Sequence, residues 1–124
     1  MNRNMKVWTE KIIGSPDKKA MPILSFPGIQ IQGITVEQLV QSSEALAQCM
    51  CRIARQFDMG IAVTPMDLSV EAEAFGSKVR FSAGEVPSVC ETLIQDEMQA
   101  QTLQVPEVGS GRTGICVDSV RKAC

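Results

Sequence analysis

The chain has 124 residues, 44% hydrophobic and 21% charged, and its 12 Lys and Arg against 14 Asp and Glu leave a net charge of −2. This is the composition of a chain that folds, one domain or less in length. With one Trp, four Phe, no Tyr and no basic excess, it lacks the electrostatic footprint and the stacking platforms of nucleic-acid binding.

Histidine is absent, which removes imidazole as general base, proton shuttle and metal ligand. Chemistry done by these residues alone falls to carboxylates, thiols, Lys and Arg. The start, from Met1 to Trp8, has no apolar leader core, and no run of about 18 apolar residues occurs, so neither a signal peptide nor a membrane span is expected. The cysteines Cys49, Cys51, Cys90, Cys116 and Cys124 are odd in number and irregularly spaced. That pattern fits a cytoplasmic setting with reduced thiols.

In chain order, Val7, Trp8, Lys11 and Ile12 stand near helical spacing ahead of the Gly14-Ser15-Pro16 stop. They predict an N-terminal helix over about residues 5–14. Met21-Pro22-Ile23-Leu24-Ser25-Phe26, closed by Pro27-Gly28, has the length and punctuation of a strand covered on both faces. Thr35-Val36-Glu37-Gln38 has the capping-box form. Behind it Val36, Leu39, Val40, Leu46, Ala47, Met50, Ile53, Ala54 and Phe57 recur three and four apart, predicting one helix of about 22 residues. Asp58-Met59-Gly60 ends it, and Gly60-Ile61-Ala62-Val63-Thr64-Pro65 reads as a second strand. Strand, helix and strand over residues 21–65 make a right-handed βαβ unit with a parallel pair.

Ser69 is placed to cap a short helix that Gly76 closes, with Glu71 and Glu73 near its positive dipole end. Residues 78–82 alternate like an exposed strand, residues 93–103 read as a helix with a polar outer face, and residues 105–114 read as a loop. From Ile115 a new apolar stripe of Cys116, Val117, Val120 and Cys124 begins with no stop signal behind it. It reads as a helix cut rather than finished.

Three places could carry chemistry. Cys49-Met50-Cys51 is no chelate, because helix positions two apart diverge, and buried thiols behave as small hydrophobes. The other cysteines have no metal-ligand spacing, so no metal site is expected within these residues. Gly109-Ser110-Gly111-Arg112-Thr113-Gly114 invites a phosphate-loop reading, but it has no Walker lysine and no strand feeding it. A flexible connection whose Arg112 caps or pairs locally is preferred. Asp67 is the leading candidate, since it follows the second strand where α/β sheets and barrels place ligand-handling side chains. An Asx-turn or N-cap role for it stays open, and Glu71 and Glu73, which diverge on a helix, rank below it.

The stretch Gly60-Ile61-Ala62-Val63-Thr64-Pro65-Met66-Asp67-Leu68-Ser69-Val70-Glu71-Ala72-Glu73-Ala74-Phe75-Gly76 resembles the uroporphyrinogen decarboxylase superfamily. That superfamily includes the decarboxylases of tetrapyrrole synthesis and the methylcobamide:coenzyme M methyltransferases. The resemblance runs from Met21-Pro22-Ile23-Leu24-Ser25-Phe26-Pro27-Gly28 to Arg112-Thr113-Gly114 and the terminal helix. It implies an α/β fold, with residues 1–124 as the N-terminal portion of a (β/α)8 TIM barrel that is incomplete in this chain, and it gives Asp67 the place of the aspartate that holds the pyrrole N–H groups in the decarboxylases.

The decarboxylases also carry an Arg-rich loop after the first strand, whereas residues 26–33 hold no Arg or Lys, so a polyacidic porphyrinogen would lack its charge partners there. The resemblance therefore leans to the methyltransferase branch. It implies zinc, bound through a His-x-Cys motif and a later Cys, and a corrinoid (methylcobamide) for the full-length parent. No cofactor is expected in these residues. The expected function is methyl transfer from a methylcobamide to a thiol, with the parent an enzyme and the piece alone inactive. Its partners would be a small-molecule substrate or a corrinoid protein. The rivals are a true uroporphyrinogen decarboxylase and a non-catalytic module that binds a corrinoid protein or a second chain, self-association included, through unpaired strands.

Overall fold

The computed structural model describes residues 4–124. The first helix, α1 (Met5–Gly14), starts at Asn4, whose side chain accepts from the amides of Lys6 and Val7. None of its residues is buried. The chain then runs without regular structure to α2 (Gly28–Gln32), α3 (Val36–Val40) and α4 (Ser43–Gln56). The capping box forms as the sequence predicts: Thr35 Oγ1 accepts from the Gln38 amide at 3.1 Å, and Gln38 Oε1 accepts from the Thr35 amide at 2.9 Å.

The single long helix predicted behind that box is instead two. Ser42 adopts an extended backbone, and its hydroxyl accepts the Ala45 amide at 3.2 Å. A serine whose side chain offers the backbone an alternative partner ends one helix and caps the next. The apolar stripe survives the break, with Val36, Leu39 and Val40 buried on α3 and Leu46, Ala47, Cys49, Met50 and Ile53 on α4. Phe57 falls outside it, at the end of α4 and more than half exposed.

The core is built on α4. Leu39, Leu46, Cys49 and Ile53 form its centre, and Leu24, Phe26, Ile29, Ile31, Ile34, Met59 and Ile115 pack around them. At Gly28 the first turn of α2 crosses α4 so closely that a Cβ would collide with Cys49 Sγ and sit 2.6 Å from Ile53 Cδ1. Only a residue without a side chain fits there.

The predicted parallel strand pair is not formed. Residues 21–26 and 60–65 run near each other, linked by Gly60 N–H to the Ala20 carbonyl at 3.1 Å and Ser25 Oγ to the Val63 carbonyl at 3.4 Å, but no ladder develops. Pro22 and Pro65 withhold donors, and both runs are covered unevenly: Ser25 is buried while Ile23 and Ala62 stand in solvent. Among the described residues the strands are β1 (Val79–Arg80) and β2 (Ser88–Val89), an antiparallel pair. Among the described residues the βαβ unit expected from the sequence is not formed, and this helix-rich α/β arrangement with its two strands does not confirm the expected partial barrel.

The remaining helices are α5 (Ser69–Ala74), α6 (Glu97–Thr102) and α7 (Arg112–Ala123). α6 is shorter than the predicted 93–103 and starts at Asp96, whose carboxylate accepts the Gln99 amide. α7 begins at Arg112, ahead of the Ile115 stripe, and packs along α4. Ser43 Oγ donates to Asp118 at 2.7 Å and accepts from Lys122 Nζ at 2.8 Å, tying the two helices at their solvent edge, while within α7 Lys122 also lies 3.1 Å from the Asp118 carboxylate. These hydrogen bonds hold the Asp118 carboxyl below the usual aspartate range. No helix among the described residues is long and apolar enough to cross a membrane.

Candidate functional site

Asp67 lies in the turn that leads into α5 and is buried with it. The predicted cap, Ser69, is not the N-cap. Leu68 holds that position with no side-chain bond, and Asp67 Oδ1 accepts the Ser69 amide at 2.9 Å and the Ser69 hydroxyl at 2.6 Å. This is the Asx turn that the sequence left open. Gly76 closes α5 with positive φ, as expected of a glycine there.

The other oxygen of Asp67 meets a residue 45 positions away in the sequence: Arg112 Nη1 donates to Oδ2. Arg112 Nη2 donates to Ser69 Oγ at 2.8 Å, and Nε donates to Glu73 Oε2. Each guanidinium nitrogen thus finds a separate acceptor, and the Phe81 ring lies under the carbon with its centroid at 4.9 Å. The Arg112 and Asp67 side chains are only 5% and 3% exposed, while Glu73 lies nearer the rim at 29%. Burial alone would lower the Arg112 pKa, but its hydrogen bonds to Asp67 and Glu73 and their charges raise it above the ordinary value.

The local role expected of Arg112 is therefore corrected. The glycine-rich segment turns its side chain inward, through positive φ at Gly109 and Gly111, to join α7 to the Asp67 turn and α5. Of the two glutamates set below Asp67, Glu73 joins the cluster and Glu71 does not. Sequence reasoning missed Arg112 as the partner of Asp67. The available signal was one Arg among five glycine, serine and threonine neighbours at the start of an apolar helix, but nothing local tied it to a carboxylate so far back in the chain.

Asp67 also lines a cleft of about 250 Å3 with Thr64, Pro65, Val70, Glu71, Thr113, Cys116 and Val117. Burial pushes the Cys116 thiol up; Arg112 pulls it down, and Asp67 and Glu71 add to the rise. Cys49, inside the core, is also raised by burial, and its thiol points to the Ser25 carbonyl at 3.3 Å. Cys51 points elsewhere, to the Ala123 carbonyl, as the divergence of alternate helix positions requires. Zinc does not fit these residues: the sequence has no His, and among the described residues no three of its Cys, Asp and Glu side chains are placed to hold a metal ion.

A helix-rich α/β chain with a buried ionic cluster beside a cleft is the class of protein that fold and site define. The family model for uroporphyrinogen decarboxylase (URO-D) matches residues 16–124, and the chain belongs to that family. No curated protein and no solved structure matches it.

Proposed function

We propose that these residues form the N-terminal part of a uroporphyrinogen decarboxylase-family barrel enzyme that moves a methyl group from a methylcobamide to a thiol. The observation that carries this reading against decarboxylation is the state of Asp67. A carboxylate offers about four acceptor positions, and Asp67 spends three of them on Ser69 N–H, Ser69 Oγ–H and Arg112 Nη1. A single donor, such as a thiol S–H, can still be accepted. The several pyrrole N–H groups of a porphyrinogen cannot, short of breaking the cluster. The lack of Arg and Lys over residues 26–33 supports the same choice, since nothing there would pair the substrate's many carboxylates.

In this reading the cleft beside Asp67 orients the acceptor thiol, Arg112 and Ser69 hold the carboxylate in place, and Pro65, Val70 and Val117 supply apolar lining beside it. The zinc and the corrinoid, or the corrinoid protein that carries it, are held by groups other than those described here. The test uses the whole protein, supplied with equimolar zinc, methylcobalamin and coenzyme M, alongside a second assay with uroporphyrinogen. Demethylation of the corrinoid with formation of the thioether is expected. Coproporphyrinogen in the second assay, with no methyl transfer in the first, would overturn the proposal.

A further inference from the structure

The Asp67 cluster costs more than an apolar contact would. Two charges are taken out of water, and such pairs add little net stability over well-packed hydrophobic residues of the same volume. What the pair supplies is geometry. Arg112 Nη1 binds Asp67 Oδ2 while Nη2 binds the Ser69 hydroxyl, which itself donates to Asp67 Oδ1. The three side chains close a ring, so the carboxylate cannot rotate about its last bond without breaking at least two hydrogen bonds. Nε on Glu73 and the Phe81 ring fix the guanidinium plane from outside the ring.

We propose that Arg112 is the positioning residue of the Asp67 site, selecting which acceptor position of the carboxylate stays free for a ligand donor in the cleft. This rests on the reading above that Asp67 handles the acceptor substrate. The planar fork is needed because the acceptors lie in three directions; a lysine would bring one point charge and leave Ser69 or Glu73 unmet. The neighbouring backbone allows the geometry, because Gly109 and Gly111 take positive φ on either side of Ser110 and bring the first residue of α7 inward.

The experiment compares Arg112→Lys, Arg112→Ala and Glu73→Gln in the whole protein, reading KM for coenzyme M and kcat separately. Arg112→Ala is expected to raise KM about 10-fold or more, the size of a lost charge-assisted bond. Added guanidinium at millimolar concentration should restore it where sodium chloride does not, and Arg112→Lys should stay impaired. Glu73→Gln, which leaves the ring but loosens the guanidinium plane, is expected to raise KM by a smaller factor than Arg112→Ala. If Arg112→Ala does not fold, the readout passes to Arg112→Lys, and wild-type KM in that variant overturns the proposal, as does wild-type KM in a folded Arg112→Ala protein. Should the parent transfer no methyl group, the methyltransferase reading fails by itself. The clamp is then read from the Asp67 carboxyl 13C resonance: a single sharp line in the parent that broadens in Arg112→Lys supports a fixed carboxylate, and no change between them refutes it.

Discussion

Asp67 and Arg112 sit in the interior as charges, and each is tolerable only because the other is there. Removing one leaves the survivor buried without a counter-charge, a loss of about 3–5 kcal/mol in comparable pairs. The thiols make a second set of contrasts at the level of single residues. Cys90 and Cys124 are exposed, Cys51 and Cys116 are half-covered, and Cys49 is buried with its thiol raised by that burial. Since the thiolate is the reactive form, a disulfide-exchange reagent at mildly alkaline pH should modify Cys90 and Cys124 first and Cys49 only as fast as the chain unfolds. Mass spectrometry of the timed reaction checks the order; early labelling of Cys49 would contradict the packing described for α4.

Among the elements, the contact of α2 with α4 depends on Gly28, and Gly28→Ala is expected to destabilise the chain by about 1–3 kcal/mol, the usual cost of overpacking. Ser42→Ala should cost about 1 kcal/mol through loss of the α4 cap. Both are read as shifts of the urea midpoint. Asp118 gives the α4 and α7 contact a pH dependence: its pKa is depressed in the folded chain, so its contribution is present above the unfolded aspartate value and is lost as pH falls through the folded one. Asp118→Asn should therefore lower stability at neutral pH and flatten the acid limb of the stability profile.

These elements also mark what could be read in advance. The capping box at Thr35, the helix over residues 5–14 and the apolar stripe from Val36 to Ile53 follow from local chemistry, and the structure reproduces each of them. The break at Ser42 was equally local, yet the continuing apolar period masked it, because a stripe does not record whether its helix is interrupted. The strands at residues 21–26 and 60–65 were misread for a different reason. A short apolar run announces burial, but a strand needs a partner's ladder, and that depends on the rest of the fold. Asp67 was legible as a candidate from its place after an apolar run, whereas Arg112 was not, because their meeting is made by the packing of α5 and α7 and by no spacing in the sequence.

For the molecule as a whole, much apolar surface is left uncovered. Ile13, Leu68, Val105 and Val108 are among the exposed large residues, and an apolar hollow of about 380 Å3 opens between Trp8, Met50, Ala54, Ile61 and Val120. Surfaces of this kind associate. Residues 1–124 alone are expected to form concentration-dependent oligomers in sedimentation velocity, and a sharp monomer at all concentrations would count against it. The central claim, that Asp67 and Arg112 form one coupled unit at the heart of the site, is tested most directly by a double-mutant cycle of Asp67→Asn and Arg112→Met, measured by urea unfolding of the whole protein. The coupled pair predicts that the double variant loses less than the two single losses combined, by about 2 kcal/mol or more. Losses that add to within about 0.5 kcal/mol would contradict it.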